Sequence, residues 1–146
     1  MKKLLLSHAE VALDTSVFIY HFEDHPRYRD LTGRILRTIS RGECRAVVSE
    51  LTLLELLVRP LKLERQDVAD EYEALLSHFP NLELVPIFRR VVLRAAILRA
   101  RYGLRTPDAL ILATAILQGA TLAITNDRQW KRVEEVVNVA CLDDFL

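Results

Sequence analysis

Val11-Ala12-Leu13-Asp14-Thr15-Ser16 decides how this chain reads: three apolar residues run straight into a carboxylate and two hydroxyls. Such a run is a short buried strand with a polar tip. In open α/β sheets ligands collect at the carboxyl ends of strands, so Asp14 is expected on the functional rim. The same grammar recurs along the chain. Ala46-Val47-Val48 ends at Ser49, and Thr121-Leu122-Ala123-Ile124 runs into Thr125-Asn126-Asp127. Leu82-Glu83-Leu84-Val85 and Val139-Ala140-Cys141-Leu142 complete a set of five short strands. Between them lie segments with apolar residues at helical spacing. Leu31, Ile35, Leu36 and Ile39 form one such row, closed by Arg41-Gly42. Leu51 to Val58 is apolar on nearly every side and is expected to stop at Pro60. Gln66 to Phe79 is conventionally amphipathic, and Pro86 is expected to open a helix that Gly103 ends. Thr106-Pro107-Asp108 then opens a helix, with Thr106 as hydroxyl cap, that is almost wholly apolar from Ala109 to Leu117. Val17 to Tyr20 stays apolar, and His21 to Tyr28 reads as a loop or broken helix. Strands alternating with helices predict a three-layer α/β/α fold around a short-stranded, mostly parallel sheet, as a single domain over 1–146.

Composition narrows the function classes. Half the chain is hydrophobic (51%) and 27% is charged, the usage of a globular domain rather than a disordered one. Twenty basic and twenty acidic residues cancel, so any attraction to nucleic acid must come from a local patch. Cys44 and Cys141 are far apart and form no CxxC pair, which suits reduced structural thiols. The apolar run Leu4 to Leu6 is too short for a secretory signal, and no stretch approaches the ~20 residues of a membrane span. A cytoplasmic protein without a membrane anchor is expected.

Four acids stand out by context: Asp14 and Asp127 end buried strands, Asp108 opens a buried helix, and Glu55 sits among leucines. Each has an ordinary explanation. Asp14 caps the next helix equally well, Asp127 suits a turn, and the helix dipole favours Asp108 in a first turn whatever its function. Thr52-x-x-Glu55 matches a capping box, unless Ser49 is the cap and Glu55 is left inside the helix. The combination says more than its members. In a parallel sheet these positions face one rim, and four converging carboxylates repel one another with no arginine evidently assigned to neutralise them. A divalent cation resolves this. Oxygen donors without a His/Cys cluster point to Mg²⁺ or Mn²⁺, which complete their shell with water and substrate phosphate. His8, His21, His25 and His78 lack metal-ligand spacing. The chemistry that follows is phosphodiester hydrolysis by metal-activated water, with one ion or two. It leaves a 5′-phosphate and needs no 2′-hydroxyl from the substrate.

Ala12-Leu13-Asp14-Thr15-Ser16-Val17, Ser49 to Glu55, Arg105-Thr106-Pro107-Asp108-Ala109 with Ala113-Thr114-Ala115, and Thr125-Asn126-Asp127 together resemble the PIN domain. Within it they look most like the VapC-type ribonuclease toxins of toxin–antitoxin pairs. The resemblance covers essentially the whole chain, in the family's order. It implies that Asp14, Glu55, Asp108 and Asp127 are the catalytic, metal-binding acids, with Ser16, Thr125 and Asn126 in support. It also implies an RNA substrate, a homodimer, and inhibition by a small VapB-like antitoxin. Glu50 competes with Glu55 for the second position, and the family pattern favours Glu55.

Arginines between Arg89 and Arg105, with Arg128, Lys131 and Arg132, offer a phosphate-tracking surface or simply a solvated one. Arg105 and Arg128 neighbour the acids and are the better substrate-binding candidates. Tyr20 and Trp130 suit base stacking, though Trp130 suits packing against the sheet better. Other classes fit less well. A receiver-type signalling domain needs an acidic pair at the first strand and a late lysine, and a haloacid-dehalogenase-like phosphatase needs Asp-x-Asp where Ser16 stands. A PIN-fold RNA-processing nuclease outside toxin–antitoxin systems, and a non-catalytic PIN-like binding module, remain the alternatives.

Overall fold

The structure, a computed structural model, describes residues 1–146. Five strands, β1 (Glu10–Leu13), β2 (Arg45–Ser49), β3 (Leu82–Val85), β4 (Leu122–Thr125) and β5 (Asn138–Cys141), form one sheet in the order β3-β2-β1-β4-β5. Every pairing is parallel. Parallel strands need a crossover between them, and the helices supply it. They are α1 (Lys2–Leu6), α2 (Thr15–Phe22), α3 (Arg29–Ser40), α4 (Glu50–Lys62), α5 (Gln66–Ser77), α6 (Arg89–Tyr102) and α7 (Thr106–Leu117). Single 3₁₀ segments at Arg128–Val133 and Leu142–Phe145 follow β4 and β5. The three-layer expectation holds, and the sheet is parallel throughout.

Side chains alternate across the sheet with the two-residue period of a strand. Val11, Leu13, Ala46, Val48, Leu122 and Ile124 enter one core with Leu5, Phe18, Ile35, Ile39 and Leu76. Ala12 and Ala123 enter the other, against Ala109, Leu112, Ala113 and Trp130. Alanines on both sheet and α7 let that helix lie close to the strands. Trp130 is fully buried, as packing rather than stacking requires.

Strand order fixes where the site lies. The chain builds outward from β1 through β2 to β3, then returns to place β4 on the other side of β1. That reversal between β1 and β4 is a topological switch point, where crossover helices leave toward opposite faces and a crevice opens.

Several local expectations are corrected. Helix α4 runs through Pro60 to Lys62, because a proline in the last turn forfeits only one hydrogen bond. Helix α6 starts at Arg89, with Phe88 as its N-cap, so Pro86 precedes it. In α7 the N-cap is Arg105, and Thr106 is already helical, making no cap. Residues Thr15 to Phe22 are one continuous helix, so the break falls only after Phe22. The N-terminal Lys2–Leu6 is helical and buries Leu5 completely.

Candidate metal centre

Asp14 follows β1 directly, and its backbone N–H donates to the Ile124 carbonyl of β4 at 2.9 Å. It also serves as N-cap of α2: Oδ1 accepts from the Thr15 amide at 2.8 Å. The capping and functional readings are therefore compatible. Oδ2 accepts from the hydroxyls of Ser16 and Thr125, both at 2.8 Å. The second of these bonds ties the ends of β1 and β4 together across the switch point. Although the residue keeps some exposure, its carboxyl is densely enclosed by protein. Burial is the main cause that pushes its pKa up to about 6, with the charge of Asp108 adding to it and the three hydrogen bonds opposing.

Glu55 lies in the second turn of α4. Ser49 is the cap of that helix, its Oγ accepting from the Leu51 amide at 3.2 Å, so the Thr52-x-x-Glu55 capping box is not used. Instead Glu55 Oε1 accepts from the Thr15 hydroxyl at 2.8 Å, and the Thr15 and Thr52 hydroxyls lie 3.0 Å apart. Glu50 is exposed beside Leu53, Leu54 and Val58, away from the other acids.

Asp108 stands in the first turn of α7, almost buried, and accepts from Arg105 Nε at 3.1 Å. Asp127 caps the 3₁₀ segment after β4, its Oδ1 accepting from the Gln129 amide at 2.9 Å. Its backbone N–H donates to Thr125 Oγ1 at 3.0 Å. Asn126 donates to Ser16 Oγ through its backbone at 3.3 Å and to the Tyr20 hydroxyl through Nδ2 at 3.2 Å.

All four acids line one cleft of about 260 Å³, with Thr15, Ser16, Tyr20 and Arg105. A larger groove of about 400 Å³ lies between α2, α3 and α5, but its lining contains no carboxylate. The expected absence of a neutralising arginine is corrected. Arg105 spans two of the acids, reaching Asp108 with Nε and Asp127 with Nη2 at 3.6 Å. Arg128 turns instead to Asp144 at 3.0 Å, and Arg101 to Glu135. Thr15 and Thr52 are participants that sequence reasoning left out. Only the adjacency of Thr15 to Asp14 pointed to the first, and the spacing pointed to Thr52 only as a helix cap, a role it does not take.

No three acid, histidine or cysteine side chains are gathered closely enough to hold a metal ion as they stand. The donors nonetheless suit a hard dication. They are all oxygens, one of them is a buried carboxyl short of counter-charge, and a guanidinium already sits as stand-in cation against two others. Asp14, Glu55, Asp108 and Asp127 are the side chains that would hold the ion.

Comparison with known proteins follows the same lines. The PIN domain family model matches residues 11–136. No curated protein matches the sequence. Among solved structures, VapBC2 from Rickettsia felis bound to a DNA fragment from its promoter aligns with TM-score 0.71 at 20% identity, over 90% of this chain and 98% of that one. A toxin–antitoxin complex from Klebsiella pneumoniae aligns with TM-score 0.68 at 24% identity, over 90% and 97%. VapBC-5 from Mycobacterium tuberculosis, of the VapBC family of toxin–antitoxin systems, aligns with TM-score 0.58 at 23% identity, over 91% and 97%.

Proposed function

The chain belongs to the PIN domain family, and from that premise we propose that it is a Mg²⁺- or Mn²⁺-dependent endoribonuclease, the toxin of a toxin–antitoxin pair. The observation that carries the reading is the convergence of four carboxylates, from three separate segments and the end of β4, on one cleft at the switch point. A divalent cation bound there would neutralise the acids, polarise a phosphodiester and lower the pKa of a water enough for attack near neutral pH. The chain's own side chains supply the positioning. Ser16 and Thr125 fix Asp14, and Thr15 fixes Glu55, so two of the proposed ligands are held before any ion arrives. The Gln129 amide orients Asp127. Arg105, at the mouth of the cleft, carries the positive charge nearest to where a substrate phosphate would lie, and Arg128 is a more distant second candidate.

The partner proposed is a small VapB-like antitoxin, since the structural neighbours described above include toxin–antitoxin complexes. Exposed Leu54, Val58 and Leu61 on α4 and Val92, Leu93 and Ile97 on α6 leave apolar surface for protein partners, a second copy of the chain in a homodimer included. A cytoplasmic location follows from the same reading; no helix is long and apolar enough to cross a membrane.

The decisive test is cleavage of defined RNAs in Mg²⁺ or Mn²⁺, wild type beside Asp14→Asn. The wild type is expected to cleave, leaving 5′-phosphates, and to be silenced by chelation, while the folded variant is inactive. Undiminished cleavage by Asp14→Asn, or cleavage that survives chelation, overturns the reading. Expression of the chain alone is expected to halt growth, and normal growth at high expression removes the toxin role.

A further inference from the structure

Arg105 is the one cation in the cleft, and it bridges two of the acids. It grips each acid with one nitrogen only, Nε to Asp108 and Nη2 to Asp127, although guanidinium–carboxylate pairs are strongest when both prongs meet one partner. Its side chain is 70% exposed, while those of Asp108 and Asp127 are 11% and 28% exposed. One exposed monovalent group thus makes a single hydrogen bond to Asp108 and a looser contact with Asp127. A dication competing for the same oxygens brings twice the charge. The arginine loses little by leaving, because its head is already in water.

We propose that Arg105 is an exchangeable counterion: it screens Asp108 and Asp127 until a divalent cation takes its place, and its freed guanidinium then grips the phosphodiester of bound RNA. This rests on the metal-dependent ribonuclease reading and adds a regulated step to it. Ion binding and substrate binding become linked through one side chain. The metal must displace Arg105, and RNA rewards the displacement by giving the fork a new anionic partner.

The test measures Mn²⁺ affinity directly, by electron paramagnetic resonance and calorimetry, for wild type, Arg105→Gln, Arg105→Ala and Arg105→Lys. Arg105→Gln and Arg105→Ala are expected to bind Mn²⁺ about two- to fivefold tighter, the range that loss of an exposed competing ion pair converts to. Arg105→Lys, which keeps the charge, should stay near wild type. In a second arm, affinity for a short phosphorothioate RNA is measured with Ca²⁺ and without any divalent ion. Arg105→Gln is expected to weaken binding severalfold in Ca²⁺ and to have little effect without it. If wild type binds Mn²⁺ and the variants bind it no tighter, Arg105 is an ordinary surface ion pair and the exchange is refuted, with the ribonuclease reading intact. If RNA affinity falls equally with and without Ca²⁺, the freed-guanidinium step is refuted. If wild type itself does not bind Mn²⁺, both the exchange and the metal-dependent function fall.

Discussion

Asp14 concentrates the conflict between stability and chemistry in one carboxyl. Its folded pKa, about 6, lies above the ordinary value of 3.8, so the folded chain holds this proton more tightly than the unfolded chain does. The associated stability is present below about pH 4 and is lost as pH rises through about 6. At neutral pH, without metal, the ionised group therefore weighs against the fold. Asp14→Asn is expected to raise metal-free stability at pH 7 by about 1–2 kcal/mol, less than the full shift implies because hydroxyl hydrogen bonds to the anion are weakened too. Denaturant unfolding at pH 4.5 and 7 checks this: the gain should shrink at the lower pH, and a destabilised variant at pH 7 would contradict it. Asp14, Glu55, Asp108 and Asp127 were legible in the sequence because a carboxylate after an apolar run, or inside one, has to be accounted for. Of their tethers, Ser16 and Thr125 were implied only by the family resemblance, and Thr15 was not singled out at all. The bonds from Thr125 to Asp14 and from Thr15 to Glu55 join residues 111 and 40 positions apart. The double grip of Arg105 depends on side-chain direction, which spacing does not encode.

At the scale of elements, α7 is the piece that couples packing to the cleft. Its first turn carries Asp108, and its body, with Ala109, Leu112 and Ala113 fully buried, lies against Ala12 and Ala123 of the sheet. Enlarging the contact has nowhere to go. Ala113→Leu is expected to cost about 1–3 kcal/mol by overpacking. It should also reduce cleavage by the molecules that remain folded, since α7 must shift and carry Asp108 with it. Thermal melts and cleavage per folded molecule measure the two effects separately, and full activity in a destabilised variant would show that α7 position and site geometry are independent. The helix itself was easy to read, being almost wholly apolar after Asp108. Its cap was not: the hydroxyl at Thr106 competes with an arginine whose extended backbone makes it the N-cap without any side-chain bond to the helix amides. The same limit applies to Pro60, whose cost depends on its place within the last turn.

For the whole molecule, two cores on opposite faces of a five-stranded sheet divide the work. One holds α7 and the acid at its start, while the other rests on α2, α3 and the short N-terminal helix. Leu5 is entirely enclosed in that second core and does not line the acid cleft. Leu5→Ala is expected to destabilise by about 2–5 kcal/mol through the cavity it leaves. Cleavage per folded molecule should stay unchanged, as denaturant titration alongside an RNA assay would reveal; a parallel fall in specific activity would tie α1 to the site. Sequence patterning exposed the alternation that makes the sheet parallel but not α1, whose five residues are too few for a helical period to declare itself.

The placement of β4 beside β1 has a consequence for biosynthesis. The segment that completes the cleft emerges from the ribosome more than a hundred residues after the segment that begins it, because Thr125 must return to Asp14. A nascent or truncated chain lacking residues 122–127 has no assembled acid pocket. On the proposed function, hydrolytic capacity is among the last properties that translation confers, and a product terminated before residue 122 lacks the complete site.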